Sequence, residues 1–390
     1  MKNSALASSS LFAPMFLKSF STPLESSRSG KNLIVIQLSG GNDGLNTVVP
    51  FRNDIYYKNR PFIGLKGDKL IDLNGDLALN VGLKAIKPIY DNGEMAIINN
   101  VGYPNPDRSH FRSMDIWHTA SNSNEYLSTG WIGRYLDSDC ARCADNTHAL
   151  EIDNNLSLVM KGNDQVGFAV ANPNQLKKNT NNPFLKKVAQ MDHDHEHENV
   201  AYLYKTLIDT QESADYLHGQ VKKHKSSSKY PNSKLGKKLK TVSELITSDT
   251  DTKIYYVSLS GFDTHAFQLG KQERLLQQYA EGVSALISDL KKNRLFDDTL
   301  IMTFSEFGRR VKQNASKGTD HGTANVLFLM GGQLKKKGIL NKGPNLQQLV
   351  DGDLQYSVDF RSIYATIIDK WLDSSHQQVL GQSFRGIDFV

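Results

Sequence analysis

The hydrophobic positions of the chain fall into short continuous runs separated by longer, more polar stretches. The run Leu33–Leu38 is apolar and largely β-branched, which predicts a strand buried on both faces. Similar runs predict strands at Met95–Asn99, Lys253–Leu259, Asp298–Phe304 and Val326–Met330. Because strands of this kind alternate with loops and helices, the pattern indicates an α/β fold with a doubly wound, mostly parallel sheet.

Two parts of the chain have helical periodicity instead. From about Gln268 to Lys292, apolar residues recur at the spacing of an amphipathic helix. The segment at about 172–245 is polar, lysine-rich and helical in period, which predicts a helical insertion over the sheet. A further helix is expected to start at Ser109, with Ser109 or Asp107 as its cap.

The composition excludes few function classes. The 390 residues carry a formal net charge of +5, and the lysine runs at 222–225 and 234–240 are typical of solvated surfaces. No aromatic interleaving or known motif accompanies these runs, so a nucleic-acid partner is not expected. No stretch outside the N-terminus approaches the length of a membrane span, so the mature chain is expected to lack a transmembrane segment.

The first 30 residues differ in composition from the rest. Lys2 precedes a small and apolar stretch, Ala5 to Leu17, that serines and Pro14 interrupt. This composition is typical of an export signal and suits twin-arginine export, although the twin arginines themselves are absent. One explanation is that Met1 is an internal start and that the basic part of the signal lies upstream of it. The alternative is a cytoplasmic leader. We therefore expect a signal-like leader at 1–30, a folded domain at 31–390, and a place in the periplasm or at the cell surface.

Two minor features leave alternatives open. Cys140 and Cys143 are too few for a cysteine zinc site, and they favour a structural disulfide in an oxidising compartment. The alternating histidines and acids of 192–198 are able to bind metals, but such tracts are usually solvent-facing.

Acids and histidines gather where the predicted strands end. Each residue taken alone is typical of a helix cap or a turn, but the carboxyl ends of parallel strands meet at one sheet edge. Carboxylates with imidazoles are ligands for zinc, manganese, magnesium or calcium, so the sequence predicts a divalent-metal site of unknown metal identity. The predicted ligands are Asp43, Asp263, His265, Glu306, Asp320 and His321.

A second group of candidate residues surrounds Ser109. A serine at a helix N-terminus lies where backbone N–H groups favour an anion, and a neighbouring metal would make it a usable nucleophile. Arg108 and Arg112 are the candidates for holding a phosphate or sulfate group. The alternative is that Ser109 is only a helix cap.

Several motifs, in this order along the chain, carry a resemblance to a known family. They are QLSGGNDGLNTVVP, DRSHFRSMDIWHT followed by GWIGRYL, GFDTHAFQ, TFSEFGRRVKQNASKGTDHG and DFRSIYATIIDKWL. From about Asn32 to near the C-terminus the chain resembles the exported family of domain of unknown function 1501. The resemblance implies a fold of the alkaline phosphatase/sulfatase superfamily, whose members use a metal-bound nucleophile at a strand end.

The resemblance also implies roles for single residues. Asp43 matches the superfamily's first metal acid, Ser109 the nucleophile, and Asp263 with His265 the acid–histidine pair, although at a shorter spacing. Where the superfamily has Asp-His at the end of a strand, this chain has Glu306 and Phe307, so a two-metal site is not expected. Asp320–His321 resembles the last histidine motif.

These observations lead to one main hypothesis and two alternatives. The main hypothesis is a metal-dependent hydrolase or transferase that acts on a phosphate or sulfate ester, either a small molecule or a glycan or lipid, outside the cytoplasm. The first alternative is a non-catalytic binding or assembly protein that keeps the fold and a structural metal. The second is a carbohydrate-binding or surface-attached partner in a larger exported system. The sequence leaves the oligomeric state open.

Overall fold

The structure is a computed structural model that describes residues 30–139, 146–189 and 198–390. The leader, the two cysteines and residues 192–197 of the histidine-rich tract lie outside the described residues. Residues Lys31–Val390 form one compact unit. Within the described ranges, no helix combines the length and the apolar character that crossing a bilayer requires.

A nine-stranded sheet forms the centre of this unit, and two smaller sheets lie outside it. The central strands are rich in apolar residues and almost completely buried, because both of their faces are covered by other elements. The strands are β1 (Asn32–Ser39), β2 (Val48–Val49), β3 (Leu70–Asp72), β4 (Ala78–Asn80), β5 (Met95–Gly102), β6 (Ala149–Glu151), β7 (Phe168–Ala169), β8 (Ile254–Ser260), β9 (Thr299–Phe304), β10 (Asn325–Gly331), β11 (Gly338–Ile339), β12 (Leu349–Val350), β13 (Asp353–Leu354) and β14 (Val358–Asp359).

The main sheet has the order β11-β5-β10-β9-β1-β8-β6-β7, with β14 paired to β5. The pairs β1–β8, β1–β9, β6–β8 and β6–β7 are parallel. Among the described strands of this sheet, β10 alone runs antiparallel to both of its neighbours. The predicted α/β class with a mostly parallel sheet is therefore confirmed, with one reversed strand that the apolar run at 326–330 did not reveal.

Helices cover both faces of the sheet. They are α1 (Asp54–Asn59), α2 (Lys87–Asp91), α3 (His110–Thr119), α4 (Trp131–Asp139), α5 (Pro173–Thr180), α6 (Pro183–Ala189), α7 (Glu198–Lys223), α8 (Lys234–Thr247), α9 (Gln268–Lys292), α10 (Phe360–Thr366) and α11 (His376–Leu380). Alternate residues of β1 point to opposite faces, so Ile34 and Ile36 pack in a core with α8 and α9. Leu33 and Val35 pack in a second core with α3, α4 and α10. Helices α5 to α8 form the expected helical insertion.

The reversed direction of β10 matters for the candidate site. The carboxyl ends of β1, β5, β8 and β9 lie at one edge of the sheet, since these strands share a direction. Because β10 runs the other way, its start and the loop that precedes it reach the same edge. Residues that follow four strands and residues that precede a fifth are therefore brought together.

Candidate metal centre

The carboxylate of Asp263 is the centre of a cluster at this edge. Its Oδ1 atom lies 2.7 Å from Nη2 of Arg309 and 3.0 Å from Nε2 of His265. The same oxygen lies 3.3 Å from Nε2 of His321 and 3.6 Å from Nε2 of His110. Three imidazoles from three separate parts of the chain thus direct the same ring nitrogen toward one carboxylate oxygen.

The ring orientation of His110 is set by Glu306. Nδ1 of His110 lies 3.0 Å from Oε1 of Glu306, an oxygen that also accepts a hydrogen bond of 2.8 Å from the backbone N–H of Gly40. Since a carboxylate only accepts, Nδ1 carries the hydrogen and Nε2 presents its lone pair to the cluster. Glu306 is fully buried, so its contribution is to hold His110 rather than to bind within the cluster itself.

The other two imidazoles are held in the same way. Nδ1 of His321 lies 2.7 Å from the backbone oxygen of Arg108, and Nδ1 of His265 lies 3.2 Å from Oδ1 of Asp320. Asp320 is itself held by a 3.1 Å hydrogen bond from the Asn314 amide. Acceptors therefore fix Nδ1–H on all three rings, which is the arrangement that metal-binding histidines normally have.

This arrangement leaves lone pairs facing one another. Nε2 of His265 and Nε2 of His321 are only 3.0 Å apart, although each ring already uses its hydrogen at Nδ1. Nε2 of His110 is buried and has no hydrogen-bond partner within the described part of the chain. Lone pairs at this distance repel unless a proton or a metal ion lies between them, so the cluster is suited to hold a cation, either a metal ion or an added proton shared with Asp263.

The distances fit a metal ion. Ligand atoms of His110, Asp263 and His321 lie within 4.8 Å of one another. Nitrogen and oxygen ligands bind zinc at about 2.0–2.2 Å, so two of them cannot be more than about 4.4 Å apart. Three separations within the cluster satisfy this limit: 3.0 Å for His265–His321, 3.3 Å for His321–Asp263 and 3.6 Å for His110–Asp263. His265 adds a fourth candidate ligand at 3.0 Å from Asp263.

The protonation behaviour of the cluster follows from its contacts. Burial raises the pKa of Asp263, but the hydrogen bond and the charge of Arg309 outweigh burial and lower this pKa to about 2. The hydrogen bond to Glu306 raises the pKa of His110, whereas burial lowers the pKa of His321. Asp263 is therefore ionised at neutral pH, as a metal ligand must be.

A buried aromatic ring forms the floor of the cluster. The Phe307 ring centroid lies 4.9 Å from that of His110 and 4.8 Å from that of His321. This ring fills the space beside Gly41, where a Cβ atom would be 2.1 Å from Phe307 Cε2. Gly41 also has a φ of +68°, a left-handed conformation that glycine adopts without strain. Phe307 is thus a packing residue.

Asp43 is not brought into this cluster. It is buried, and its carboxylate forms a bidentate ion pair with Arg60, with distances of 2.6 and 3.0 Å. The amides of Gln268 and Leu45 donate to the same oxygens. Four donors therefore occupy this carboxylate, and its position after β1 serves to anchor the loop rather than to face the imidazoles.

The residues of the second predicted group are divided. Ser109 is exposed at the N-terminus of α3, and its hydroxyl makes no capping hydrogen bond in the described structure. Arg108 lies next to the cluster, and its Nη2 pairs with Asp353. Arg112 is turned away: its guanidinium donates to three backbone oxygens of 122–125 and lies 3.9 Å above the Tyr126 ring.

The sequence reasoning missed three residues of this region, His110, Arg309 and Arg60. His110 lies within the DRSH motif, next to the proposed nucleophile, and this neighbourhood was the available signal. Arg309 donates to the backbone oxygens of Gly40, Gly41 and Phe262, so it ties the ends of β1 and β8 to Asp263. No local pattern distinguishes such an arginine from a surface residue.

A cavity of about 720 Å³ opens beside the cluster. Arg108, Glu306 and Phe307 line it and also belong to the cluster or its supports. The remaining walls come from the end of β5, the loop before α3, and the β12–β13 hairpin with the segment after it. The Phe307 ring, which packs against His110 and His321, therefore separates the cavity from these two imidazoles.

The fold and the cluster define an α/β protein with a candidate centre for a divalent metal. The chain belongs to the family "Protein of unknown function (DUF1501)", whose model matches residues 94–385. The family recognised from the motifs is thereby confirmed. A search of curated proteins gives no match.

Solved structures similar to this chain share little sequence with it. The C-terminal periplasmic domain of EptC from Escherichia coli, in complex with zinc, is 11% identical, with a TM-score of 0.39 over 78% of this chain and 73% of that one. The lipoteichoic acid synthase LtaP from Listeria monocytogenes is 12% identical, with a TM-score of 0.37 over 80% and 68%. An alkaline phosphatase superfamily protein from Vibrio parahaemolyticus is 11% identical, with a TM-score of 0.33 over 78% and 60%. The function proposed below rests on this chain's own residues.

Proposed function

We propose that this protein is a metal-dependent hydrolase that acts on phosphate or sulfate esters outside the cytoplasm. One observation carries the proposal: three imidazoles, each fixed at Nδ1, direct Nε2 toward the Asp263 carboxylate beside an open cavity. A placement outside the cytoplasm is supported by the signal-like composition of the first 30 residues.

The residues that would hold the metal are Asp263, His110, His265 and His321. With three nitrogen donors and one carboxylate, this set suits zinc better than manganese, magnesium or calcium, which prefer oxygen ligands. A divalent cation at this position would polarise the ester and offset negative charge as it develops. Asp43 is left out of the proposed ligand set, because Arg60 and two amides already occupy its carboxylate.

Ser109 is the proposed nucleophile. It is exposed beside His110, at the N-terminus of a ten-residue helix whose free N–H groups favour an anion. Its Oγ would form a bond to phosphorus, or to sulfur in a sulfate ester, as the bond from that atom to the alcohol oxygen breaks, and the proton of the serine hydroxyl would pass to the departing alcohol oxygen. Water would then release the phosphate and restore the serine hydroxyl.

Arg108 is the proposed anion-binding residue. Its Nη2 is committed to Asp353, but its Nε is buried without a hydrogen-bond partner within the described structure. An ester oxygen that accepts from this Nε–H would satisfy the buried donor. Arg112 is not proposed for this role, since its guanidinium is bound to the 122–125 loop.

The test combines metal analysis with activity. Purified protein, dialysed against zinc or manganese and then against buffer, is expected to retain about one metal ion per chain and to hydrolyse an aryl phosphate or an aryl sulfate. Asp263→Asn is expected to lose the metal, because the central ligand oxygen becomes an uncharged amide. Ser109→Ala is expected to keep the metal and to lose at least about a hundredfold in kcat.

Ser128→Ala, which removes an exposed serine hydroxyl outside the site, is the control and is expected to leave both properties unchanged. A wild-type protein that binds neither metal would refute the proposal. So would a metal-loaded protein that is inactive on both esters.

A second candidate function has one observation in its favour. Phe307 closes one side of the cluster where the superfamily resemblance implies a histidine, which is compatible with a structural metal in a non-catalytic binding protein. In that case the metal would be retained and would raise the midpoint of thermal unfolding, but Ser109→Ala would change no measured property.

A further inference from the structure

The cavity beside the cluster has polar groups in its wall that lack partners. Trp117 lines the cavity and is 2% exposed, yet its Nε1–H has no hydrogen-bond acceptor among the described residues. Nε of Arg108, another lining residue, is likewise buried without a hydrogen-bond partner among the described residues. Buried donors are rarely left unsatisfied, because each loses its bond to water on folding. A ligand with acceptor atoms would supply the missing partners.

The charges around the cavity are already balanced. Arg108 and Arg310 both contact the carboxylate of Asp353, which is 1% exposed. Asp351 and Glu306 add two more acids to the lining. Two arginines against three acids provide no excess positive charge, so the cavity does not favour a second anionic group beyond the one at the metal cluster. The group that enters it is therefore expected to carry no negative charge.

The walls also offer flat apolar surfaces with polar edges. Tyr356 is 39% exposed at the cavity, and its backbone lies so close to Gly102 that a Cβ there would be 2.9 Å from the Cβ of Tyr356. Tyr103 and Phe307 contribute further rings, and Gln355 contributes an amide. Aromatic faces that alternate with hydrogen-bonding groups suit a ligand with C–H faces and hydroxyl edges.

We infer that this cavity binds the sugar ring of a glycan ester, the leaving group of the hydrolysis proposed above, and the inference rests on that proposed function. The ester's anionic group would lie at the metal cluster, and the neutral ring would extend between Tyr356 and Trp117. Hydroxyl oxygens would accept from Nε1–H of Trp117. Two contacts hold the segment after β13 in place. Strand β14 pairs with β5, and the Thr323 hydroxyl donates a 2.6 Å hydrogen bond to the backbone oxygen of Leu354.

The test measures sugar binding without metal. Calorimetric titration of the EDTA-treated full chain with D-glucose, D-galactose, N-acetyl-D-glucosamine, lactose and cellobiose is expected to show binding of at least one sugar. Tyr356→Ala is expected to weaken that binding at least about tenfold, because the stacking surface is lost. Trp117→Phe keeps the ring between Phe304 and Phe360 but removes one donor, and it is expected to weaken binding about fivefold.

Phe184→Ala removes an exposed aromatic ring that does not line the cavity, and it is expected to leave the affinity unchanged. The inference is overturned if none of the five sugars binds or if Tyr356→Ala binds them as well as the wild type. Because no metal is present, failure of the hydrolase proposal would leave the sugar binding intact. Hydrolysis of aryl esters without sugar binding would refute this inference alone.

Discussion

At the scale of single residues, the two carboxylates of neighbouring strands have opposite surroundings. Asp43, after β1, is fully enclosed with Arg60, and both side chains have no exposed surface. Asp263, after β8, is about half exposed and faces three imidazoles. A buried ion pair depends on both partners, whereas an exposed carboxylate loses little stability when it is neutralised. The two positions therefore separate a role in folding from a role in binding.

Paired substitutions at these positions test that separation. Asp43→Asn leaves the Arg60 charge buried without a counter-ion and is expected to reduce the free energy of unfolding by roughly 3–5 kcal/mol, with the metal content unchanged. Asp263→Asn is expected to abolish metal binding and to cost less stability than Asp43→Asn, because the lost carboxylate is about half exposed and the buried Arg309 keeps four backbone acceptors. Urea denaturation and elemental analysis measure both properties. A folded Asp43→Asn protein that had lost its metal would place Asp43 in the ligand set.

At the scale of elements, local pattern predicted the strands well and the contacts between them poorly. The apolar runs gave β1, β5, β8 and β9, because a strand buried on both faces needs such a run. An apolar run does not show which way its strand runs relative to the neighbouring strands, so the antiparallel direction of β10 was not predicted. The partnership of His110 with Glu306 joins residues 196 positions apart, and no local periodicity encodes such a contact. The sequence thus predicted which loops converge, but not which of their side chains meet.

The turn after β1 offers a prediction at this scale. Gly41→Ala would place Cβ 2.1 Å from the Phe307 ring at a φ of +68°, so the ring that supports His110 and His321 would have to move. We expect a loss of stability of about 3 kcal/mol, from backbone strain and overpacking together, and a metal affinity at least about tenfold lower. Thermal unfolding and competition with a metal-sensitive dye would measure these effects.

Gly67 provides the matched control for this substitution. Its φ is +56°, but nothing lies within 4 Å of the position a Cβ would take. Gly67→Ala therefore carries the backbone strain, about 1 kcal/mol, without the steric contact, and it should leave metal affinity unchanged. Equal losses of stability and affinity in the two variants would show that Phe307 does not support the imidazoles.

At the scale of the whole molecule, the sheet carries two buried titratable groups of opposite character. Glu151 on β6 is 5% exposed, and burial raises its pKa from 4.5 to about 7. His118 on α3 is 4% exposed, and burial lowers its pKa from 6.5 to about 4. Nε2 of His118 lies 3.0 Å from the Tyr256 hydroxyl, which donates to Gln37, so the neutral imidazole is the donor to that hydroxyl. Burial thus favours the uncharged form of both groups.

The two groups impose opposite pH dependences on stability. Between pH 4.5 and 7 the folded state binds the Glu151 proton more tightly than the unfolded chain does, so stability falls as the pH rises. Between pH 4 and 6.5 the unfolded chain binds the His118 proton more tightly, so stability rises with pH. From pH 5 to 7.5 each contribution amounts to about 2 kcal/mol, and the two nearly cancel in the wild type.

Single substitutions should reveal the pH dependence of stability that each group contributes. Glu151→Gln removes the contribution to stability that decreases as the pH rises. The free energy of unfolding of this variant should therefore rise by about 2 kcal/mol from pH 5 to 7.5 relative to the wild type. His118→Gln removes the rising contribution and should show the reverse change, while the double variant should again be nearly flat. Urea denaturation at both pH values measures the three slopes. Parallel pH profiles for the wild type and the two single variants would mean that neither group is buried uncharged in the folded protein.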